Sequence, residues 1–572
     1  MQRTLTSGPI TSSILLFALP LMFGNLLQQM YNIADTWVVG RFLGADALAA
    51  VGSSYTLMTF LTSILLGLCM GSGAAISMQY GGGESEKMRR SVFQSFVLIA
   101  GIALVLNLLV YLGLDGILWV LRVPEELKPL MKDYLIIIFL GITATFLYNY
   151  FANLLRAIGN SVVPLVFLAV SAILNVFLDL FCVIVLGWGI KGAAGATVFS
   201  QLVSGVGIGV YTLKKFPELC PRREDCRWDK QNLAAILNLS VMTSVQQSIM
   251  NFGILMVQGL VNSFGVNVMA AFAAAVKIDA FAYLPVQDFG NAFSTFVAQN
   301  TGAQKAERIR KGIRSALWVS VGFCLVSSLL VCLFAAPLMG LFVEPGETEI
   351  IAVGVEYLRI EGMCYCGIGI LFLLYGLFRG LGRPGVSVVL TVVSLGTRVA
   401  LAYLLAPIPA VGLKGIWWAA GYWPIWPGWC STGENPFRRK RPARRRDKKT
   451  AADGTPVRGG FCYSGQSVGL LALQVLVVGH LAVDELAVGG EVEHPVGHGL
   501  HQLVVVGGEE HVALDGLQAV VQGGDGLQIQ VVGGLVKQQH VGPGEHHPGE
   551  HAPHLLAAGE DLDGLEHVIA GE

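Results

Sequence analysis

From Ile10 to about Ala420 the chain alternates long apolar stretches with short polar links. This spacing predicts membrane-spanning helices, because crossing about 30 Å of hydrocarbon takes roughly 20 residues. Eleven stretches are clear, centred near Met22, Ser63, Ala103, Ile142, Ile173, Leu202, Gly253, Phe281, Cys324, Leu371 and Ser394. A twelfth starts at Gly415 and then meets Pro424 and Pro427, so the last span is expected to be damaged or absent. The first stretch holds Asn25, Gln28, Gln29, Asn32 and Asp35 and has no small-residue cleavage site, which marks a resident helix and not a signal peptide.

The links fix an orientation. Alternate links carry eighteen Lys and Arg on one side, including Lys87 to Arg90, Lys214 to Lys230 and Lys305 to Arg314, against seven on the other. The amino terminus and the basic links are therefore expected in the cytoplasm. The chain also repeats. Gly44 to Ala50 (GADALAA) matches Gly265 to Ala271 (GVNVMAA), Arg156-Ala157-Ile158-Gly159 matches Arg379-Gly380-Leu381-Gly382, and Gly189-Ile190-Lys191-Gly192 matches Gly412-Leu413-Lys414-Gly415, at an offset between 220 and 223. Six spans per unit is an even number, so the two halves enter from the same side. They form parallel repeats related by a pseudo-two-fold axis along the membrane normal, with a site expected between them. The fold class expected is an all-α polytopic membrane protein of two six-helix bundles.

Composition sharpens this picture. In 572 residues, 53% are hydrophobic and 13% charged, against roughly 25% charged in soluble domains. A net charge of -1 excludes nucleic-acid binding through overall charge. The 10 cysteines are scattered without CxxC or Cys/His spacing, so neither a disulfide framework nor a zinc site is implied. No nucleotide loop, nucleophile elbow or metalloprotease motif is present, and no enzyme reading survives. Beyond the basic run Arg438 to Lys449 the character changes. All 11 histidines lie at or beyond His480, and residues 468–572 contain no aromatic, Ser, Thr, Asn, Arg, Cys or Met. Such a segment has little with which to build a packed core and is expected to be unfolded, as a product of a changed reading frame or a fusion junction. Its cluster His546, His547, His551 and His554 offers a weak metal-binding alternative without regular ligand geometry. The boundaries expected are 1–212 for an N-terminal lobe, 213–231 for a cytoplasmic inter-lobe loop, 232–420 for a C-terminal lobe, and 421–572 for the aberrant tail.

Ionisable residues at bilayer depth need a partner, a proton, an ion or a wet cavity. In span one, Asn25, Gln28, Asn32 and Asp35 recur at three- and four-residue spacing downstream of Pro20, which can bend the helix. In span five, Asn175 and Asp179 lie one turn apart, and Thr197 lies near the outer end of span six. Two carboxylates, an amide oxygen and a hydroxyl can hold Na⁺ or protons, since paired carboxylates in low dielectric titrate together. The plainer reading is that these acids only cap or bond neighbouring helices. In the repeat Asp35 maps onto Met256, Asn175 onto Arg398 and Asp179 onto Ala402, so the oxygen cluster belongs to the first half alone. The second half has Lys277, Asp279, Asp288, Glu361 and Arg398, expected as mutually neutralising pairs such as Lys277 or Arg398 with a carboxylate, with a second ion route as the other reading.

These residues resemble the multidrug and toxic compound extrusion (MATE) family of cation-coupled drug antiporters. The features that carry the likeness are Pro20, Asp35-Thr36 and Gly40 ahead of GADALAAVG, the Gln79 to Gly83 link, Arg156 to Asn160 before Pro164, and Asn175 through Asp179, over about residues 5 to 420. In the DinF-like branch the first lobe carries a cation site, and Asp35, Asn175, Asp179 and Thr197 match it residue by residue. The resemblance implies that Na⁺ or H⁺ from outside binds there, bends span one near Pro20 and displaces a small organic, often cationic, substrate outward. It also implies Gln29 and Asn149 as cavity contacts, no cofactor, and a monomer in the cytoplasmic membrane of a prokaryote. The chain departs from the family at span twelve and through the tail. Two rival readings are a lipid-linked oligosaccharide flippase, whose pyrophosphate would favour basic cavity residues, and a non-functional product of a disrupted gene.

Overall fold

The structure is a computed structural model that describes residues 4–120, 127–343, 346–408, 411–421, 502–505 and 528–531. The first series of helices is α1 (Ile10–Leu43), α2 (Ala45–Gly81), α3 (Ser85–Val120), α4 (Lys128–Leu140), α5 (Ile142–Ala157), α6 (Val162–Leu180) and α7 (Gly189–Lys215). The second is α8 (Lys230–Asn262), α9 (Val266–Gly302), α10 (Ala306–Met339), α11 (Thr348–Met363), α12 (Tyr365–Gly380), α13 (Pro384–Leu405) and α14 (Gly412–Gly421). Among the described residues nine helices are long and apolar enough to cross a membrane, and up to eleven spans result if each bent pair, α4 with α5 and α11 with α12, counts as one. Rows of large apolar side chains on α3 (Leu104, Leu108, Leu112) and α10 (Leu325, Leu329, Leu333) are exposed, and only lipid makes such surfaces stable. The protein is a multi-pass membrane protein.

Each predicted span centre falls in its helix or, at Ile142 and Leu371, in the second half of a bent pair. The bends were not legible in hydropathy, because apolar residues run straight through both breaks. They occur at Gly141 (40°) and Cys364 (52°), equivalent positions of the repeat. Backbone geometry repeats as well: Gly44 and Gly265 both take left-handed φ (88° and 100°) at the first inter-helix turn, where a side chain would be strained. Where the twelfth span is expected, the described residues hold α14, ten residues long, and residues 422–437, with Pro424 and Pro427, lie outside the described residues. In the tail the described residues are β1 (Gln502–Val505) and β2 (Gln528–Val531), paired in parallel with Gln502 opposite Gln528. The remainder of the unfolded-tail expectation, and His546, His547, His551 and His554, lie outside the described residues.

Two apolar cores form, one from the end of α1 (Val38, Val39) through α7 and one from α8 to α14. The first helix of each series crosses between them. The early part of α1 (Ile14, Phe17, Ala18, Leu21) packs with Phe289, Phe293 and Phe296 of α9, while its later part packs on α6. Helix α8 does the reverse, with its early part on α2 and its later part on α13. Small residues allow the α2–α8 approach: Gly67 and Gly71, four apart, face Ser244 and Ser240, and a Cβ on either glycine would fall within 2.5 Å of α8 backbone.

The link between the series is pinned to α3. Arg89 Nε lies 2.7 Å from Asp225 Oδ2, which also accepts the Arg222 backbone N–H at 3.0 Å. Gln94 donates to the carbonyls of Arg227 and Asp229, and Asn232 donates to Ser91 and Gln94. Burial alone would raise the Asp225 carboxyl, but the hydrogen bonds from Arg89 and Arg222 hold it below its ordinary value of 3.8. A depressed folded-state pKa gives stability that is complete above the unfolded value and fades as pH falls through the folded one. Asp225→Asn is therefore expected to cost about 1–3 kcal/mol at neutral pH, with the gap to the native chain closing in acid below about pH 4. Thermal unfolding in detergent at two pH values checks this; an equal deficit at both would exclude the ion pair as the cause.

Candidate functional site

The acidic cluster is assembled by α1, α6 and α7, which pack against one another. One turn of α6 separates Asn175 (2% exposed) from Asp179 (0%), so both side chains point into the bundle. Just after Asp179 the helix widens into a π-helical turn, Phe181–Val185. Such a turn displaces the side chains around it and recurs at functional positions. Asp35, half-buried on α1, brings its carboxyl within hydrogen-bonding reach of Asp179. Asn175 Nδ2 donates to Thr197 Oγ1 at 3.2 Å. The structure thus brings together all four residues singled out in the sequence.

What these groups lack is as informative as what they hold. Both oxygens of Asp179 and Oδ1 of Asn175 are buried without a standard donor among the described residues. Buried polar oxygens left so are costly, and two facing carboxylates cannot both stay ionised without a cation between or beside them. The donor set is hard oxygen throughout, the chemistry that suits a proton or an alkali cation and not a soft metal. Thr197 also lines a small cavity with Met58, Thr62, Ile138, Ile142, Thr145 and Gln201, with about 20 Å³ in which the centre of a water-sized occupant can sit. That is room for roughly one water or one partly dehydrated ion.

Sequence reasoning missed Tyr134. Buried on α4, it stands close to Asp35, Asp179 and Tyr31. Its signal was a hydroxyl in an apolar run, which does not distinguish a site residue from core. Pro20 lies inside an unbroken α1. The Asn149 amide donates to the Thr145 carbonyl one turn earlier in its own helix, and Gln29 is half-buried on α1.

Asn25 was grouped with Asp35 by spacing, but its amide turns to the other lobe and donates to both oxygens of Asp288 at 2.6 and 2.7 Å. Arg156 stands near Asp288, and Arg379 binds Asn291 and Ser294 on α9. Asp288 is thus part of a bridge between the lobes. The expected pairing of second-lobe charges holds for Arg398 and Glu361 at 4.0 Å. Lys277 is corrected: it is exposed, and takes no part in that cluster.

The lobes meet at the end that carries the basic links. There Leu5 N–H donates to Gln299, Gln299 donates to the Ala157 carbonyl, and Arg308 reaches the carbonyls of Leu5, Ser7 and Gly8. Gly81 lies against the Gln299 backbone and Gly302 against that of Met78. This end is closed.

Comparison with known proteins gives consistent results. A family model described as MatE matches residues 20–181 and 240–404. The probable multidrug resistance protein YpnP of Bacillus subtilis is 30% identical over 391 residues, covering 68% of this chain and 86% of that protein. The probable multidrug resistance protein NorM of Thermotoga maritima is 25% identical over 416 residues, 71% of this chain and 88% of its own. A MOP superfamily transporter from Pyrococcus furiosus has a similar fold, with a TM-score of 0.69 at 23% identity over 73% of this chain and 93% of that one.

Proposed function

Because the chain belongs to the MatE family, we propose that it exports small organic, often cationic, compounds across the cytoplasmic membrane of a prokaryote, with its basic links in the cytoplasm, in exchange for Na⁺ or H⁺. The names of its relatives favour drug export over the flippase reading. The observation that carries the coupling is the pair Asp35 and Asp179 with the donor-less Asn175 Oδ1 beside it. A cation arriving from outside neutralises this pair, and α1 and α6 then draw together around it. Helix α1 spans both lobes, so a change at Asp35 is felt where Ile14 to Leu21 meet α9. Pro20 lies near the end of that α9-packed stretch, on the side toward Asp35, and removes a backbone hydrogen bond there, which makes it the place where α1 can bend. Breaking the Asn25–Asp288 bridge opens the basic end, and the substrate enters between the lobes, with Gln29 and Asn149 among its contacts. The chain is proposed to work as a monomer and without a cofactor.

Reconstituted vesicles with Na⁺ and H⁺ gradients imposed separately test this, using a fluorescent organic cation such as ethidium. Accumulation is expected to follow one of the two gradients and to collapse when that gradient is dissipated. Accumulation that ignores both ions would overturn the coupling.

A further inference from the structure

The second lobe holds a buried polar cluster at the place where the first lobe has its cavity. Among the apolar residues that line the first-lobe cavity are Met58 on α2, Ile138 on α4 and Ile142 on α5. The repeat aligns them with Asp279 on α9, Glu361 on α11 and Tyr365 on α12. Asn175, which bonds the cavity residue Thr197, aligns with Arg398 on α13. Glu361 and Tyr365 flank the break at Cys364, as Ile138 and Ile142 flank the break at Gly141. The correspondence is therefore one of backbone as well as sequence.

The two clusters differ in one charge. Asp35 and Asp179 act on each other and on Asn175, a set of two carboxylates with no basic side chain among those partners. In the second lobe Arg398 Nη2 lies 4.0 Å from Glu361 Oε1, with only 11% and 3% of these side chains exposed. Asp279 stands near the same guanidinium and near the Tyr365 hydroxyl, while Tyr283 and Tyr357 stand around the group. A guanidinium cannot give up its proton in a protein, so this positive charge is permanent.

We propose that Arg398 is the tethered occupant of a second-lobe cation site, its guanidinium standing with Glu361 and Asp279 where the first lobe leaves room for a free cation. The second lobe is permanently loaded, and exchange is confined to the first. This rests on the proposed coupling role of Asp35 and Asp179 only for its contrast between the lobes, and its test removes that dependence. In an Asp35→Asn, Asp179→Asn protein the first site is emptied. Bound cations are then counted per chain as retained ²²Na⁺ plus protons taken up from a dye-buffered solution.

Adding Arg398→Gln to that parent is expected to raise the count by one, because two buried carboxylates then lack their cation. Arg398→Lys is expected to leave it unchanged, an ammonium replacing the guanidinium. Should Arg398→Gln not fold, Glu361→Gln in the same parent still decides: it leaves Asp279 with Arg398, and the count should not change. Loss of a bound cation in Glu361→Gln, or no gain in a folded Arg398→Gln protein, would overturn the proposal. Failure of the native chain to bind any exchangeable cation would overturn the coupling proposal instead, and leaves these differences intact.

Discussion

Asp35→Asn is expected to abolish gradient-driven export while leaving the protein inserted and folded. The substitution keeps side-chain size and removes one of the two carboxylates that face each other between α1 and α6. The remaining Asp179 no longer has a partner with which to share a cation, so binding and release there cease to be linked to α1. A tenfold gradient of one monovalent cation supplies about 1.4 kcal/mol, which supports at most about a tenfold substrate gradient per cation exchanged. In the variant that ratio should fall to near one under the same imposed gradient. Asp179→Asn should do the same, and because the two residues form one unit the double variant should be no worse than either single change. Substrate distribution measured in vesicles decides; gradient-driven accumulation that persists in either single variant and disappears only in the double variant would mean that the two acids act separately.

The second large effect is expected at the closed basic end. A Cβ on Gly302 would lie 1.8 Å from the Met78 carbonyl oxygen, and one on Gly81 would lie 2.0 Å from that of Gln299. Both neighbours are backbone and cannot swing away, so Gly302→Val forces α2 and α9 apart. Overpacking of this kind costs about 1–3 kcal/mol. A cost of that size shifts a two-state equilibrium by roughly 5–150-fold. The expected result is a protein that rests with its basic end open, exports poorly, and shows a longer distance between spin labels placed at the exposed Lys87 and Lys311. An unchanged distance in a folded Gly302→Val protein would show that the two lobes do not separate here.

Much of this architecture could be read from the chain because hydropathy and charged links suffice to mark helices in a membrane. The four oxygen-bearing residues of the first-lobe cluster were legible for a related reason: a carboxylate or amide in an apolar run has few innocent explanations, and Asn175 and Asp179 share a face by spacing alone. What escaped was whatever depends on which neighbour a helix meets. Spacing grouped Asn25 with Asp35, yet α1 lies on α9 early and on α6 later, so the two side chains serve different lobes. Lys277 looked like an internal charge because its surroundings in sequence are apolar, but it lies on an exposed face of α9. The breaks at Gly141 and Cys364 left no trace in composition, and without them the placement of Glu361 and Tyr365 on either side of a bend cannot be inferred. Tyr134 became a candidate only when α4 was seen to present it to both acids.

The central claim is that the carboxyl pair of the first lobe carries a cation whose release is tied to substrate. It is met most directly by adding ethidium to the purified protein, at fixed pH and Na⁺, while recording proton and sodium release together. The native protein should release cation in a fixed ratio to substrate bound, and Asp35→Asn, Asp179→Asn should bind substrate with no release. Undiminished release from that double variant would contradict the account.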